Sequence, residues 1–150
     1  MEIVQLNEKQ IHGLSVRTSN AKEMNPQTAS IGSVHQKFDA TVVVDYKSGA
    51  RVYGVYYNYE SDYNGEYSMM AGADKVDKKY ADKLETVVLA AGKYMVFKAQ
   101  GEVPQVVIET WQKIWAYFSN KGAPHLRSYT TDFEYYKNQN EIEIYIALKA

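Results

Sequence analysis

Hydrophobic residues follow two different periods along this chain. Runs of β-branched and aromatic residues, or strict alternation with polar ones, predict strands. Six such segments are 2–17, 51–59, 67–71, 84–99, 125–136 and 141–149. Gly13 and Gly92 are expected to bend the first and fourth of these segments, so that each can form one strand or two. A β-branched run at 41–46, just before a turn at 47–49, is predicted to be extended as well.

Two other segments have helical spacing. Ile31, Val34 and Phe38 recur at intervals of three and four after Asn25-Pro26, where the first helix is expected to begin. Val103-Pro104 opens the second helix, and Gly122 is expected to end it in a left-handed cap. The apolar stripe of this second helix consists of Val107, Trp111, Ile114, Trp115 and Phe118. Such a stripe is typical of a helix that packs on a sheet.

The two halves of the chain share one order of elements, which is strand, helix, strand, strand. Pro26 corresponds to Pro104, Phe38 to Trp115 and Glu60 to Glu134, at offsets of about 75 to 80 residues. We therefore predict an α+β fold in which two such units, related by a pseudo-twofold axis, form one antiparallel sheet. Both helices lie on one face and flank a central groove. The chain is expected to be a single domain, 1–150, with repeats at about 1–72 and 82–150 and a charged linker at 73–80.

Composition narrows the classes of function. The net charge is −1, from 17 basic and 18 acidic residues, whereas proteins that bind nucleic acid on their own carry a basic patch or excess. The chain has no cysteine, and its three histidines are scattered, so neither a metal nor another cofactor is expected. No run approaches the roughly 18 apolar residues of a membrane span, and no signal peptide is recognisable, which favours a cytoplasmic protein. The excess of tyrosine, 14 against 4 phenylalanines, predicts amphipathic aromatic surface.

Two stretches of sequence place a carboxylate at the end of an aromatic run. They are Gly54-Val-Tyr-Tyr-Asn-Tyr-Glu60 and Ser128-Tyr-Thr-Thr-Asp-Phe-Glu134. Burial of an ionised acid is costly unless a partner compensates for its charge. We therefore expect that a bound cation is the partner of such a carboxylate.

Four motifs, in this order, resemble the GyrI-like effector-binding domain. They are Tyr53-Gly-Val-Tyr-Tyr-Asn-Tyr-Glu60, Glu109-Thr-Trp-Gln-Lys-Ile-Trp115, Tyr129-Thr-Thr-Asp-Phe-Glu134 and Ile144-Tyr-Ile146. That family includes the effector-sensing domains of AraC-type and MerR-type multidrug regulators, and stand-alone members, some of them on integron cassettes. The resemblance implies a duplicated αβ fold whose central pocket stacks lipophilic cations on aromatic rings around a buried glutamate. By its position in Asp-Phe-Glu, that glutamate is Glu134.

Six residues are predicted to contact the ligand: Glu134, Trp115, Tyr136, Tyr145, Tyr56 and Trp111. Strand parity places Tyr136 on the same face as Glu134. The competing interpretation of Glu134 is a carboxylate near a strand edge that pairs with Arg127 or a lysine. Tryptophans at helical spacing are also more often core residues than ligand contacts.

Tyr145 is the least consistent of the six. Its isoleucine neighbours are expected to face the core, which would turn Tyr145 outward unless a bulge reverses the pattern. Glu60 is followed by Ser61-Asp62 and a very polar loop, so it is expected to be exposed.

The expected function is therefore the binding of lipophilic organic cations by a stand-alone sensor or a transcription-regulatory module. Since no residues precede the unit to bind DNA, such a module would act with a separate DNA-binding regulator chain. The sequence also leaves open whether the protein forms a homodimer. Two alternatives remain: a small-molecule hydrolase that uses Glu134 with a pocket tyrosine, and a gyrase-inhibitor-like interaction module. Non-enzymatic binding is preferred to hydrolysis because the histidines are scattered and no nucleophile motif occurs, although Glu134 with a pocket tyrosine would serve either function.

Overall fold

Eight strands form one antiparallel sheet in the computed structural model, which describes residues 2–150. The strands are β1 (Glu2–Leu6), β2 (Lys9–Ser19), β3 (Val52–Tyr57), β4 (Glu66–Ala73), β5 (Glu85–Leu89), β6 (Gly92–Gln100), β7 (Thr131–Tyr136) and β8 (Glu141–Ala147). The helices are α1 (Asn20–Glu23), α2 (Ile31–Thr41) and α3 (Gln105–Ser119), with 3-10 turns at Tyr46–Ser48 and Lys78–Lys83. The α+β class is confirmed. The strand count rises from six to eight because segments 2–17 and 84–99 each divide into two strands.

The order of the strands requires the sheet to curl. It is β1-β6-β8-β7-β3-β4-β2-β5, so β1 and β2 are six positions apart, and so are β5 and β6. Six strand spacings in a flat sheet would span roughly 29 Å. The links 7–8 and 90–91 are only two residues long and reach about 11 Å. The two edges of the sheet must therefore approach each other at the end where Leu6 pairs with Gly92 and Lys9 pairs with Leu89.

The curl gives the sheet a hydrophobic core on each face. On one face, Val34 and Phe38 of α2 and Val107 and Ile114 of α3 belong to the same cluster, together with strand residues such as Ile144. The opposite face is covered by the curled sheet itself rather than by helices. Its buried residues include Ile11, Val55, Met70, Tyr94 and Phe133.

The first helix begins later than predicted. Asn25-Pro26 opens a turn, in which the Ala29 N–H donates to the Asn25 carbonyl over 2.9 Å. The Glu23 carboxylate accepts hydrogen bonds from the N–H groups of Ser30 and Ile31, each at 3.0 Å. Because this side chain satisfies the free donors of the first helical turn, α2 begins at Ile31.

The β-branched run at 41–46 is not a strand. Helix α2 continues to Thr41, and Val42 is buried in the core beneath it. The Val43 N–H donates to the Tyr80 hydroxyl rather than to a neighbouring strand. The segment therefore returns the chain from the helical layer to β3.

The end of α3 and the start of β7 also differ from the predictions. Helix α3 ends at Ser119 with an extended cap at Asn120, and Gly122 lies beyond it and donates to the Asn120 side chain. Strand β7 begins at Thr131 instead of at residue 125. Tyr129 has a φ of 55°, in the left-handed region, which interrupts the extended backbone.

Candidate functional site

The Glu134 carboxylate lies at the centre of the sheet, beneath a layer of aromatic side chains. Glu134 is only 1% exposed. One carboxylate oxygen, Oε2, accepts hydrogen bonds from the Tyr56 hydroxyl and from the Trp111 Nε1–H, both at 2.8 Å. The other, Oε1, accepts one from the Tyr136 hydroxyl at 2.8 Å. The three donors come from β3, α3 and β7, so the tertiary fold assembles this cluster.

Strand register explains why these side chains meet. Gly54 of β3 lies directly across from Glu134 of β7. Residues opposite each other, and residues two apart on one strand, share a face of the sheet. Tyr56 and Tyr136 therefore lie beside the carboxylate, and Trp111 reaches it from the buried side of α3.

Within residues 2–150, Glu134 forms no ion pair. Among residues 2–150, no lysine, arginine or histidine nitrogen lies within 4.0 Å of its carboxylate. Arg127, the partner in the competing interpretation, pairs with Asp132 instead, over 2.7 Å. All three hydrogen bonds to Glu134 come from neutral groups. The cavity therefore contains a buried carboxylate that forms no ion pair with any basic side chain of residues 2–150.

The two phenols of the cluster are held in their neutral form. Burial raises the pKa of Tyr56 well above its ordinary value, and the nearby Glu134 carboxylate raises it further. The same two causes, in the same order, raise the pKa of Tyr136. Both hydroxyls therefore remain hydrogen-bond donors to Glu134 at any physiological pH.

A cavity of about 1090 Å³ opens between α2 and α3 above this cluster. Its aromatic lining consists of Tyr46, Tyr56, Tyr59, Tyr63, Tyr67, Trp111, Trp115 and Tyr136. The charged residues of its lining are Glu23, Asp39, Arg51, Arg127, Glu134 and Lys137. Six large hydrophobic residues around it are more than a third exposed: Met24, Tyr46, Tyr63, Val103, Ile108 and Trp115. The opening is thus apolar and the floor is aromatic and anionic.

Five of the six predicted ligand residues line this cavity: Glu134, Tyr56, Tyr136, Trp111 and Trp115. Trp111 is buried, whereas Trp115 is 38% exposed, with its ring centre 6.1 Å from that of Trp111.

Tyr145 is not part of the cavity, and its prediction is corrected. It lies on the opposite face of the sheet, where its ring stacks on Phe133 at 4.6 Å. Ile144 and Ile146 face the helices and are fully buried, and no bulge reverses the alternation of β8. The period-two pattern therefore decides the side on which Tyr145 lies.

Glu60 is exposed, as predicted, but it is not the structural counterpart of Glu134. Glu134 lies inside β7, opposite Gly54 of β3. Glu60 lies beyond the end of β3, in the turn that leads to β4. The resemblance between the two sequence stretches therefore does not carry over to their places in the sheet.

Sequence reasoning missed the tyrosines and the histidine that complete the wall. The tilted rings of Tyr67 and Tyr56 pack with 5.4 Å between their centres, and the Tyr59 ring centre lies 5.9 Å from that of Tyr67. His35 of α2 contacts the Tyr136 ring edge to face at 5.8 Å. Tyr67 has the strand parity of Met69 and Ala71, which face the helices, so this signal could have identified it.

A second buried charge lies at one end of the cavity and is fully paired. Asp132 is completely buried and accepts hydrogen bonds from Arg127 at 2.7 Å, from the Tyr59 hydroxyl at 2.5 Å and from the Ala147 N–H at 2.8 Å. The Arg127 guanidinium also packs on the Tyr129 ring at 4.3 Å. This network fixes the irregular segment before β7, and it contrasts with the unpaired charge of Glu134.

The described residues contain neither a candidate metal centre nor a membrane-spanning helix. No group of three or more histidine, cysteine or acidic side chains within residues 2–150 is arranged to hold a metal ion. None of the helices in the described part of the chain is long and apolar enough to cross a membrane.

The chain is similar to known effector-binding proteins along nearly its whole length. The family model Cass2, described as an integron-associated effector binding protein, matches residues 2–148. The integron cassette protein VCH_CASS2 from the mobile metagenome of Vibrio cholerae is 42% identical, with a TM-score of 0.90 over 99% of this chain and 95% of that one. YobU of Bacillus subtilis, named as a candidate transcriptional regulator, is 31% identical over 159 residues, covering 98% of this chain and 96% of its own.

A more distant structure shares the fold. SAV2435, solved with bound tetraphenylphosphonium, is 21% identical, with a TM-score of 0.72 over 99% of this chain and 93% of that one. The resemblance seen in the sequence motifs is thereby confirmed.

Proposed function

The chain belongs to the Cass2 family of integron-associated effector binding proteins, and from that premise we propose that it binds lipophilic organic cations in the cavity around Glu134. The observation that carries the proposal is the buried carboxylate without a basic partner on the floor of an aromatic cavity. A buried, ionised carboxylate without a basic partner lowers the stability of the ligand-free protein. A bound cation would compensate for its charge and would thereby gain affinity.

The walls of the cavity fit the apolar part of such a ligand. A cation over a tyrosine or tryptophan ring gains about 0.5 to 2 kcal/mol, with the larger value where water is excluded. Tyr56 and Trp111 are buried, and Trp115 extends the aromatic surface toward the opening. The cavity, at about 1090 Å³, is slightly larger than the range of about 300 to 1,000 Å³ that is typical of sites for drug-sized ligands. The arrangement favours bulky apolar cations of varied shape.

The hydrogen bonds that Glu134 already accepts limit direct hydrogen bonding between a ligand and its carboxylate. Oε2 already accepts two hydrogen bonds and Oε1 accepts one, while the residue is only 1% exposed. A ligand therefore meets the rings of Tyr56, Trp111 and Tyr136 before it meets the carboxylate. This geometry favours cations whose charge is enclosed by apolar groups, because they need no direct hydrogen bond to an oxygen.

The same arrangement supports a binding role over a hydrolytic one. A general base must accept a proton from a water molecule within hydrogen-bond reach. Both oxygens of Glu134 already accept hydrogen bonds from protein donors, and the residue is only 1% exposed, which disfavours its use as a general base. We therefore propose a sensor rather than a hydrolase.

We propose further that the occupied cavity informs a separate DNA-binding chain. YobU, which the chain matches over nearly its whole length, is named as a candidate transcriptional regulator. SAV2435, which shares the fold, was solved with a lipophilic cation bound. Together these observations support an effector-sensing module that acts on transcription through a partner.

We also infer that the fold arose by duplication. Exchanging each strand with the one four places later in the chain reproduces the same sheet order read backward. A pseudo-twofold axis between β3 and β7 would have this effect. The duplication supports the proposal because it accounts for two helices that flank one central cavity.

The test is a titration of the purified protein with tetraphenylphosphonium and, in parallel, with triphenylphosphine oxide, which has similar aromatic groups but no net charge. Quenching of Trp111 and Trp115 fluorescence reports binding. The expected result is clearly tighter binding of the phosphonium. Equal affinity for the two compounds would contradict the proposed role of Glu134.

A further inference from the structure

Gly54 lies where the Glu134 carboxylate needs space. The two residues face each other across the pairing of β3 and β7. A Cβ added at Gly54 would lie 2.5 Å from Glu134 Oε1 and 3.4 Å from its Cδ, and 3.0 Å from the Met69 methyl group. A contact of 2.5 Å cannot persist in a folded protein, so the carboxylate would have to move.

The backbone does not require glycine at this position. Gly54 is inside an extended strand and is not among the glycines with positive φ, which are Gly49, Gly92 and Gly101. Glycine inside a strand lowers stability relative to a residue with a side chain. The reason for glycine here is therefore the space that it leaves rather than its conformation.

The other paired glycines of the sheet have a different role. Gly13 and Gly72 face each other across β2 and β4, and an added Cβ would meet backbone oxygens at 2.0 Å and 2.5 Å. Backbone cannot yield without disrupting the sheet. At Gly54 the atoms in the way belong to the ends of two side chains, Glu134 and Met69, so the sheet can remain intact while the site changes.

We propose that Gly54 is a positioning residue. Because it has no side chain, it leaves the space in which the Glu134 carboxylate accepts its three hydrogen bonds. The oxygen nearest to Gly54 is Oε1, which accepts from Tyr136, and its displacement moves Oε2 away from Tyr56 and Trp111 as well. The effect on ligand affinity rests on the proposed cation-binding function. The effect on the carboxylate itself does not.

The first experiment uses the ligand-free protein and the variant Gly54→Ala. The ¹H–¹⁵N resonance of the Trp111 indole N–H reports its hydrogen bond to Glu134, and Trp111→Phe identifies that resonance. Trp115, which is 38% exposed, supplies the reference signal. Gly54→Ala is expected to fold and to shift the Trp111 resonance while the Trp115 resonance stays in place. An unchanged Trp111 resonance would overturn the proposal.

The second experiment is a double-mutant cycle with tetraphenylphosphonium as the probe. Gly54→Ala is expected to lower the affinity by about tenfold or more, comparable to the loss of one hydrogen bond to a charged group. In a Glu134→Gln background the same substitution should change affinity by less than about twofold, because the charge that it displaces is gone. An equal loss in both backgrounds would show that the methyl group acts on the shape of the cavity, and would refute the positioning role.

Gly122→Ala is the matched control, since an added Cβ there has ordinary contact, at 3.5 Å from the Asn120 side chain, and lies outside the cavity lining. It should leave both the Trp111 resonance and the phosphonium affinity unchanged.

If the wild-type protein failed to bind the phosphonium, the proposed function would be wrong, yet the Trp111 resonance would still decide the role of Gly54.

Discussion

Replacing Glu134 with glutamine removes the charge of the site and leaves its shape nearly unchanged. The glutamine carbonyl can take the place of Oε2 and accept from Tyr56 and Trp111, whose indole N–H can only donate. The amide NH₂ then occupies the place of Oε1 and donates to the Tyr136 hydroxyl, which can rotate to accept. We therefore expect Glu134→Gln to fold as the wild type does.

The expected loss of affinity follows from the depth of the carboxylate. Its donors lie 2.8 Å away and it is 1% exposed, so a ligand's charge lies beyond the ring layer, at about 6 Å. Two unit charges at that distance interact by about 2.8 kcal/mol at an effective dielectric constant near 20. Glu134→Gln should therefore weaken tetraphenylphosphonium binding by about 100-fold.

Isothermal titration calorimetry measures this loss, and two controls separate charge from shape. Triphenylphosphine oxide should bind both proteins equally, because it carries no net charge. Glu60→Gln removes the exposed carboxylate of the other aromatic stretch and should leave phosphonium affinity unchanged. A phosphonium affinity for Glu134→Gln within about twofold of wild type would refute the argument that an unpaired buried charge drives binding.

Three further predictions concern stability and ligand chemistry. Burial, with help from nearby carboxylates, raises the pKa of Tyr56, Tyr59 and Tyr136 well above the unfolded value of about 10, so the stability that they contribute is complete below pH 10 and is lost as pH rises toward the folded pKa values. These three phenols alone should lower the free energy of unfolding by up to about 4 kcal/mol per pH unit above pH 10, and other tyrosines with a raised pKa, such as Tyr53 and Tyr67, add to this slope. Urea denaturation measures the slope, and a flat profile above pH 10 would contradict the burial of these phenols. Asp132→Ala leaves the Arg127 guanidinium buried and unpaired and should lower the free energy of unfolding by about 3 to 5 kcal/mol, whereas a loss below about 1 kcal/mol would show that water replaces the pair. Tetraphenylphosphonium should bind more tightly than protonated tritylamine in calorimetry, because three protein donors already occupy Glu134, and the reverse order would show that ligand N–H groups reach the carboxylate.

Much of the fold could be predicted from local sequence. Strict alternation in β8 and the helical stripe of α3 led to the correct element types, and parity placed Tyr136 with Glu134. The failures came where side chains override local preference. Glu23 sets the start of α2 from seven residues away, and the β-branched run after α2 is used as a connection. Neither effect can be read from propensity, because both depend on contacts made in three dimensions.

The candidate site was only partly predictable for the same reason. Glu134 was identified through a resemblance in its motif, but Tyr56, Trp111 and Tyr136 were predicted as ligand contacts rather than as its hydrogen-bond donors. The role of Gly54 depends on the register of β3 against β7, which fixes that glycine opposite the carboxylate. A shift of that register by one residue would place a valine or a tyrosine there instead. Tyr145 was included among the predicted ligand residues although the alternation of its own strand turns it to the opposite face, as the structure shows.

Stability and binding are supported by opposite faces of the same two strands. In β3, Val55 is buried inside the curl, whereas its neighbours Gly54 and Tyr56 belong to the Glu134 site. In β7, Phe133 packs inside the curl, and the next residue is Glu134 itself. Because the enclosed face supplies a core that needs no helix, the opposite face can hold α2 and α3 apart over a cavity and tolerate an unpaired charge. The curl imposed by the two short links, 7–8 and 90–91, is thus the structural condition for a buried anionic site on the other side of the sheet.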